Sequence, residues 1–384
     1  MYEPAGRQFP SLALLWPAFA AASASDVTGL IAKQFADLVV GPAAPSVPEP
    51  KWTTSHKIAL KLKMVRLRNF STENNGSPVL LCAPFALHGA AIADLAPGHS
   101  LVATLLKTGL RRLFLADWHS ATPDMRFLGI DDYLAALNVL VDHIGDPVDL
   151  IGLSQGGWMA LIYAARFPTK VRKLVLAGAL VDIAAGSSAL SILADKIPPV
   201  IFHQLVRLGD GLVPGRKVLK FWGAASITAE DIQQLLQAEE PIGSVAFSKL
   251  EAHFRAWHAW TVDLPGAFFL EVVEKLYKRN ELARGHFVAL GQKIDLKKIE
   301  IPLFMLAATD DELAAAQQLF AAESLVSTAP QDLRKALAPC RHVGLFMGKR
   351  TLEDAWANIV RWIIQQPPFI AADQAKMESM ARNH

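Results

Sequence analysis

Between Pro78 and Ala179 four short, mainly apolar runs, PVLLCAPF, RLFLADW, VDLIGL and VRKLVLAGA, alternate with stretches of helical periodicity. Strands that are apolar on both faces belong in a parallel sheet covered by helices on each side. The intervening helices carry their own stop and start signals. HSLVATLLKTG ends at Gly109, DDYLAALNVLVDHIG has Asp131 or Asp132 for its N-terminal turn, and GGWMALIYAARFP stops before Pro168. The alternation breaks off near Asp182. Residues 183–285 are rich in aromatics, prolines and mixed helical signals and read as an insertion. The pattern resumes with the strand IPLFMLAA (Ile301–Ala308), then a polar stretch, CRHVGLFMG, and the amphipathic helix LEDAWANIVRWI.

Ahead of this region, HKIALKLKM places Ile58, Leu60 and Leu62 on one face and Lys61 and Lys63 on the other. That predicts a half-buried antiparallel strand near a sheet edge, its lysines in solvent. Residues 1–40 read as helical and apolar, and VVGPAAPSVPEPKW (Val39–Trp52) as a proline-rich linker. The expected division is an N-terminal segment and linker over 1–55, a first core part over 56–182, a lid over 183–285, a second core part over 286–366 and a tail over 367–384.

One turn in the alternation carries chemistry. VDLIGLSQGGW sets Ser154 between Gly152 and Gly156, after a strand and before a helix. A nucleophile held in such a strained turn needs small neighbours, because side chains at both glycines would collide with the adjoining strand and helix. The turn projects the serine oxygen at the carboxyl end of the sheet and aims the Gln155 backbone N–H at the same spot, where a developing oxyanion is stabilised. A serine also needs a base and an orienting acid, which in this arrangement follow in the order acid, histidine. LAATDDELA offers Asp310 and Asp311, of which Asp311, followed by Glu312 and the apolar Leu313, fits better. APCRHVGLF offers His342, the only histidine after His286 before the last helix. Phe85 or Ala86, after the strand PVLLCAPF, would give the second oxyanion N–H, and His88 either lines the site or caps its loop.

Composition excludes several classes. A net charge of +2 gives no argument for nucleic acid. The two cysteines, Cys82 and Cys340, form no disulfide framework and read as core thiols, and the histidines show no metal-binding spacing, so neither metal nor cofactor is expected. No apolar run is long enough for a transmembrane segment. SLALLWPAFAAASASD has the apolar run and small residues of a secretory signal, but Glu3 offsets Arg7 and Pro17 interrupts it, which favours a cytoplasmic protein.

Several stretches carry a family likeness. APF…ADLAPGHSLVATLLKTG, LADWHSATPDMRFLGIDDYL and DLPGAFFLEVVEKLYKRNELARGHFVALGQKIDLKKIEIPLFMLAA resemble blocks of polyhydroxyalkanoate synthases, and HVGLFMGKR resembles the histidine run of intracellular polyhydroxyalkanoate depolymerases. The likeness covers about residues 78–365 and implies an α/β-hydrolase fold, a mostly parallel doubly wound sheet with an inserted lid. It assigns Ser154 as nucleophile, Asp311 as acid and His342 as base. Two positions depart from the pattern: Ser154 stands where the family usually has Cys, and Arg341 where it usually has Gly. The expectation is a serine ester hydrolase acting on a polyhydroxyalkanoate, its oligomers or a hydrophobic 3-hydroxyacyl ester, associated with the polyester granule surface and compatible with a homodimer. The alternatives are a synthase-like acyltransferase using 3-hydroxyacyl-CoA and a non-catalytic granule-coating protein.

Overall fold

The computed structural model describes residues 47–216 and 227–365. The readings of residues 1–40 and of the 367–384 tail lie outside the described residues.

The apolar runs become strands at nearly the expected places. Eight strands form one sheet: β1 (Lys57–Lys61), β2 (Val65–Asn69), β3 (Val79–Cys82), β4 (Leu113–Trp118), β5 (Val148–Leu153), β6 (Val171–Ala177), β7 (Leu303–Ala308) and β8 (Leu333–Ala338). Their order is β1-β2-β4-β3-β5-β6-β7-β8, and every pairing is parallel except β1 with β2 and β2 with β4, so β2 alone runs against the rest. Successive residues feed opposite cores. Leu80, Leu150 and Leu174 face a cluster with α2 (Ile130–Ile144) and α3 (Gln155–Arg166), while Leu81, Ile151 and Val175 face one with α1 (Leu101–Thr108) and the C-terminal helix Ala357–Ile364. Burying such a Leu or Ile contributes about 1.5–3 kcal/mol each, so these two layers hold the sheet rigid under the site.

Local signals act where the sequence sets them. Ser100 accepts the Ala103 N–H at 2.9 Å to start α1, and Gly109, at φ 130°, ends it. Lys173 interrupts the apolar β6 run for a tertiary reason. Its ammonium donates to the carbonyls of Trp362 (3.0 Å) and Ile363 (2.9 Å), at the negative end of the last helix.

Both edges depart from the sequence reading. Ile58 is 45% exposed, so the apolar face expected of β1 is only partly covered. The pairing partner of β1 is β2, whose sequence VRLRN hides a polar anchor: the Arg68 guanidinium donates to Asp117 at 2.8 Å with both side chains buried. At the far edge β8, LRKALA, is exposed at three of its six residues and buried only at Ala338.

Between β6 and β7 the chain leaves the sheet and covers its carboxyl end. Helices Ala189–Lys196, Pro199–Leu208, Ala229–Leu236 and Val245–Ala259 are followed by Gly266–Glu271, which continues into wider π-type turns over Val272–Lys278. Phe268 pins this region down, fully buried with its ring 4.8 Å from that of Tyr133 and 5.3 Å from that of Phe85. Glu271 reaches the start of α2, where it accepts the Ile130 N–H at 2.6 Å. Of the two acids expected there, Asp132 accepts the Gly129 N–H at 2.8 Å, while Asp131 turns away to the Leu290 N–H at 2.8 Å.

Candidate active site

β5 ends at Leu153 and α3 begins at Gln155, so Ser154 alone makes the turn. Its backbone lies at φ 50° and ψ −120°, a region that costs a residue with a side chain about 1–3 kcal/mol. Two bonds hold it there: the Ser154 N–H donates to Ala177 O, and Ser154 O accepts the Gly157 N–H, both at 2.8 Å. The flanking glycines are a steric necessity. A Cβ on Gly156 would lie 2.1 Å from the carbonyl oxygen of Cys82, and one on Gly152 would lie 2.5 Å from the Cα of Gly157. Gly157, which the sequence did not single out, needs the same freedom, since its Cβ would meet that of Ala179 at 2.3 Å.

The structure brings Ser154, His342 and Asp311 together. Ser154 Oγ lies 2.8 Å from His342 Nε2, and His342 Nδ1 lies 2.8 Å from Asp311 Oδ2. A carboxylate only accepts, so Nδ1 carries the proton and the Nε2 lone pair faces the serine hydroxyl. Asp311 is fixed by its other oxygen, which accepts the N–H groups of Leu313 and Ala314 at 2.9 Å each. Asp310 is exposed and takes the Thr309 hydroxyl at 3.0 Å, which resolves the choice of partner for His342 in favour of Asp311.

His342 is 4% exposed. Burial of the ring acts to lower its pKa, but the charge and hydrogen bond of Asp311, with the charge of Glu312 beyond, outweigh it and leave His342 above the usual imidazole value. Glu312 is a residue whose part the sequence did not reveal. It accepts the His342 backbone N–H at 3.3 Å and pairs with Arg341 at 3.3 Å. Arg341, the departure from glycine, thus ties the histidine loop to the acid loop.

Of the two expected oxyanion donors, the Gln155 N–H belongs to the first turn of α3, which has no partner within the helix. The Phe85 N–H donates at 2.6 Å to the side-chain oxygen of Gln155 itself.

Ser154 and His342 line a cavity of about 250 Å³ with mainly apolar walls. The region over 183–285 supplies much of that wall, including Leu193, Phe202, Trp257 and Phe269. Trp257, 1% exposed, both packs on Phe254 and borders the cavity. Phe254 is wholly buried, and Trp260 packs its ring against Gly89. His88 also lines the cavity, with Nδ1 3.1 Å from Trp260 O. Burial first, and then the charge of His258, push His88 down to about 3, although the Trp260 carbonyl opposes them.

Cys82 and Cys340 are free and buried, and burial pushes their thiols up to about 12 and about 11. Among the described residues no group of His, Cys, Asp and Glu could hold a metal ion, and no single helix is long and apolar enough to cross a membrane.

Sheet order, strained serine turn and the Ser–His–Asp chain at the carboxyl ends of the strands define an α/β-hydrolase. Residues 243–366 match the family model of the PHB de-polymerase C-terminus. The poly(3-hydroxyalkanoate) polymerase subunit PhaC of Synechocystis sp. is 28% identical over 79% of this chain and 82% of its own length. That of Haloferax mediterranei is 24% identical over 82% of this chain, and the match spans 64% of that longer protein. Among solved structures, the monoacylglycerol lipase of Paleococcus ferrophilus is similar with a TM-score of 0.49 and 15% identity, covering 78% of this chain and 97% of that one. The chain is thus similar to polyhydroxyalkanoate synthases over most of its length and to the polyhydroxybutyrate depolymerase family model over its last third.

Proposed function

We propose that this protein forms and resolves an acyl ester on Ser154, with 3-hydroxyalkanoate esters as substrates and water as the final acceptor: a polyhydroxyalkanoate or 3-hydroxyacyl ester hydrolase. The observation that carries this reading is the hydrogen-bonded Ser154–His342–Asp311 chain opening on an apolar cavity. Ser154 Oγ attacks the substrate carbonyl while His342 Nε2 takes the hydroxyl proton. The bond from acyl carbon to the leaving oxygen then breaks, and His342 returns the proton to the departing alcohol. Asp311 holds the imidazole in the required tautomer. The carbonyl oxygen binds the N–H of Gln155 and displaces the Gln155 side-chain oxygen from the N–H of Phe85. Water, deprotonated by His342, attacks the acyl-serine and releases the acid and free Ser154.

Serine favours hydrolysis over chain growth. A thiolate is both a strong nucleophile and a good leaving group, suited to passing chains between thioesters and hydroxyls, whereas an oxygen ester is resolved by His-activated water. A second reading, transfer of a 3-hydroxyacyl group from CoA to a hydroxyl, has support in the relatives, which are named polymerases, and in an apolar wall that gives water few partners.

The deciding experiment incubates wild type and Ser154→Ala with 3-hydroxybutyrate oligomers, amorphous polyhydroxybutyrate and 3-hydroxybutyryl-CoA. The expected result is Ser154-dependent release of free 3-hydroxybutyrate. Longer oligomers built from the CoA ester, without free acid, would replace hydrolysis by transfer. No Ser154-dependent product from any of the three would overturn both.

A further inference from the structure

We propose that His88 is a specificity-determining residue whose Nε2 accepts a hydrogen bond from a free hydroxyl on the acyl chain bound beside Ser154. The site then selects hydroxyacyl esters over unsubstituted esters of equal length. The proposal rests on the acyl-ester reading above.

The tautomer follows from the partner. The Trp260 carbonyl can only accept, so His88 Nδ1, 3.1 Å away, carries the proton and Nε2 is left as a lone-pair acceptor. That atom is buried and has no hydrogen-bond partner, in a residue 8% exposed. Buried polar atoms are paired in the great majority of cases, and leaving one unpaired costs about 1–3 kcal/mol. A loop cap would need only the Nδ1 bond.

His88 borders the same cavity as Ser154 and His342, where most other wall residues offer only apolar surface. An ester oxygen or a methyl group has no hydrogen to give an acceptor, and a hydroxyl has. The ring is also held in place. Trp257 lies 4.4 Å and His258 5.5 Å from it between ring centres. On either side of His88, Leu87 O accepts the Val262 N–H at 3.1 Å, and a Cβ on Gly89 would strike the Trp260 ring at 2.7 Å. The imidazole is therefore fixed between the loop after β3 and the lid. Its low pKa keeps it neutral, with the lone pair free, through the working range of an esterase.

The test compares kcat/KM for p-nitrophenyl 3-hydroxybutyrate and p-nitrophenyl butyrate, which differ by the one hydroxyl. Wild type should favour the hydroxy ester by at least about tenfold. In His88→Leu the ratio should fall to within about twofold of one, and His88→Gln, whose side-chain oxygen can accept, should recover part of it. Inhibition of wild type by 3-hydroxybutyramide should likewise be tighter than by butyramide, a measurement that needs no variant to fold. Equal cleavage of the two esters by wild type, or a ratio unchanged in His88→Leu, overturns the proposal and leaves the triad reading standing. Cleavage of neither ester overturns both.

Discussion

On the sheet side of the cavity, each group that faces the reacting position is held by a second one. Asp311 and two backbone N–H groups fix the orientation behind His342, Glu312 and Arg341 join the two loops, and the Gln155 side chain sits on the Phe85 N–H. Away from the triad the wall is mainly apolar, and the buried nitrogens of three lining residues have no partner: His88 Nε2 in the loop after β3, Trp158 Nε1 in α3 and Trp257 Nε1 in the covering helices. The difference separates two tasks. Moving a proton needs fixed geometry, which a saturated hydrogen-bond network on rigid strands supplies. Accepting an acyl chain needs surface and a few polar atoms left for the ligand.

Changes on the sheet side should be by far the more severe. Ser154→Ala should lower kcat for the cleaved ester by about 10⁶-fold, measured by burst and steady-state kinetics. Asp311→Asn should keep the fold and cost about 10⁴-fold in kcat, because the amide no longer selects the tautomer. With the carboxylate gone, only the charge of Glu312 still opposes the effect of burial on His342, so the acid limb of the kcat/KM profile should move to lower pH. Gly156→Ala forces a methyl group against the Cys82 carbonyl and should destabilise the fold by about 3 kcal/mol, read as a drop in the denaturant midpoint. Glu312→Gln removes a weaker charge from His342. Its acid limb should shift the same way but less, with kcat/KM at the plateau within about tenfold of wild type. The lid side should give the smallest effect. Phe202→Ala should raise KM for longer acyl esters about tenfold or less, with kcat changed by less than about twofold. A loss of kcat at Phe202 as large as at Asp311 would erase the division between the two sides.

The legibility of the chain in sequence follows the same division. The parallel strands and the serine turn depend on neighbours in the chain. Val148–Leu153 is buried throughout and apolar but for Asp149, which pairs with Arg172, because both its faces are covered, and the glycines around Ser154 answer to steric limits within one turn. The edge strands were harder. β2 alternates as VRLRN yet buries Arg68, and β8 mixes Arg334 and Lys335 with apolar residues on a largely uncovered edge, so neither reads as one of the buried apolar runs. The helices over 183–285 were legible only as an aromatic insertion, because their burial depends on the sheet they cover.

By itself the sequence determined the alternation of the central strands and helices, the strained position of Ser154 and the order serine, acid, histidine, since each rests on short-range periodicity or sterics. Only the tertiary structure decided that Asp311 faces His342 while Asp310 faces outward, that Glu312 holds the histidine loop, that Gln155 occupies the Phe85 N–H, and that Trp260 fixes the tautomer of His88. Those choices turn on which of several competent donors and acceptors come within about 3 Å across long sequence separations, a distance that hydrogen bonding enforces and local sequence does not encode.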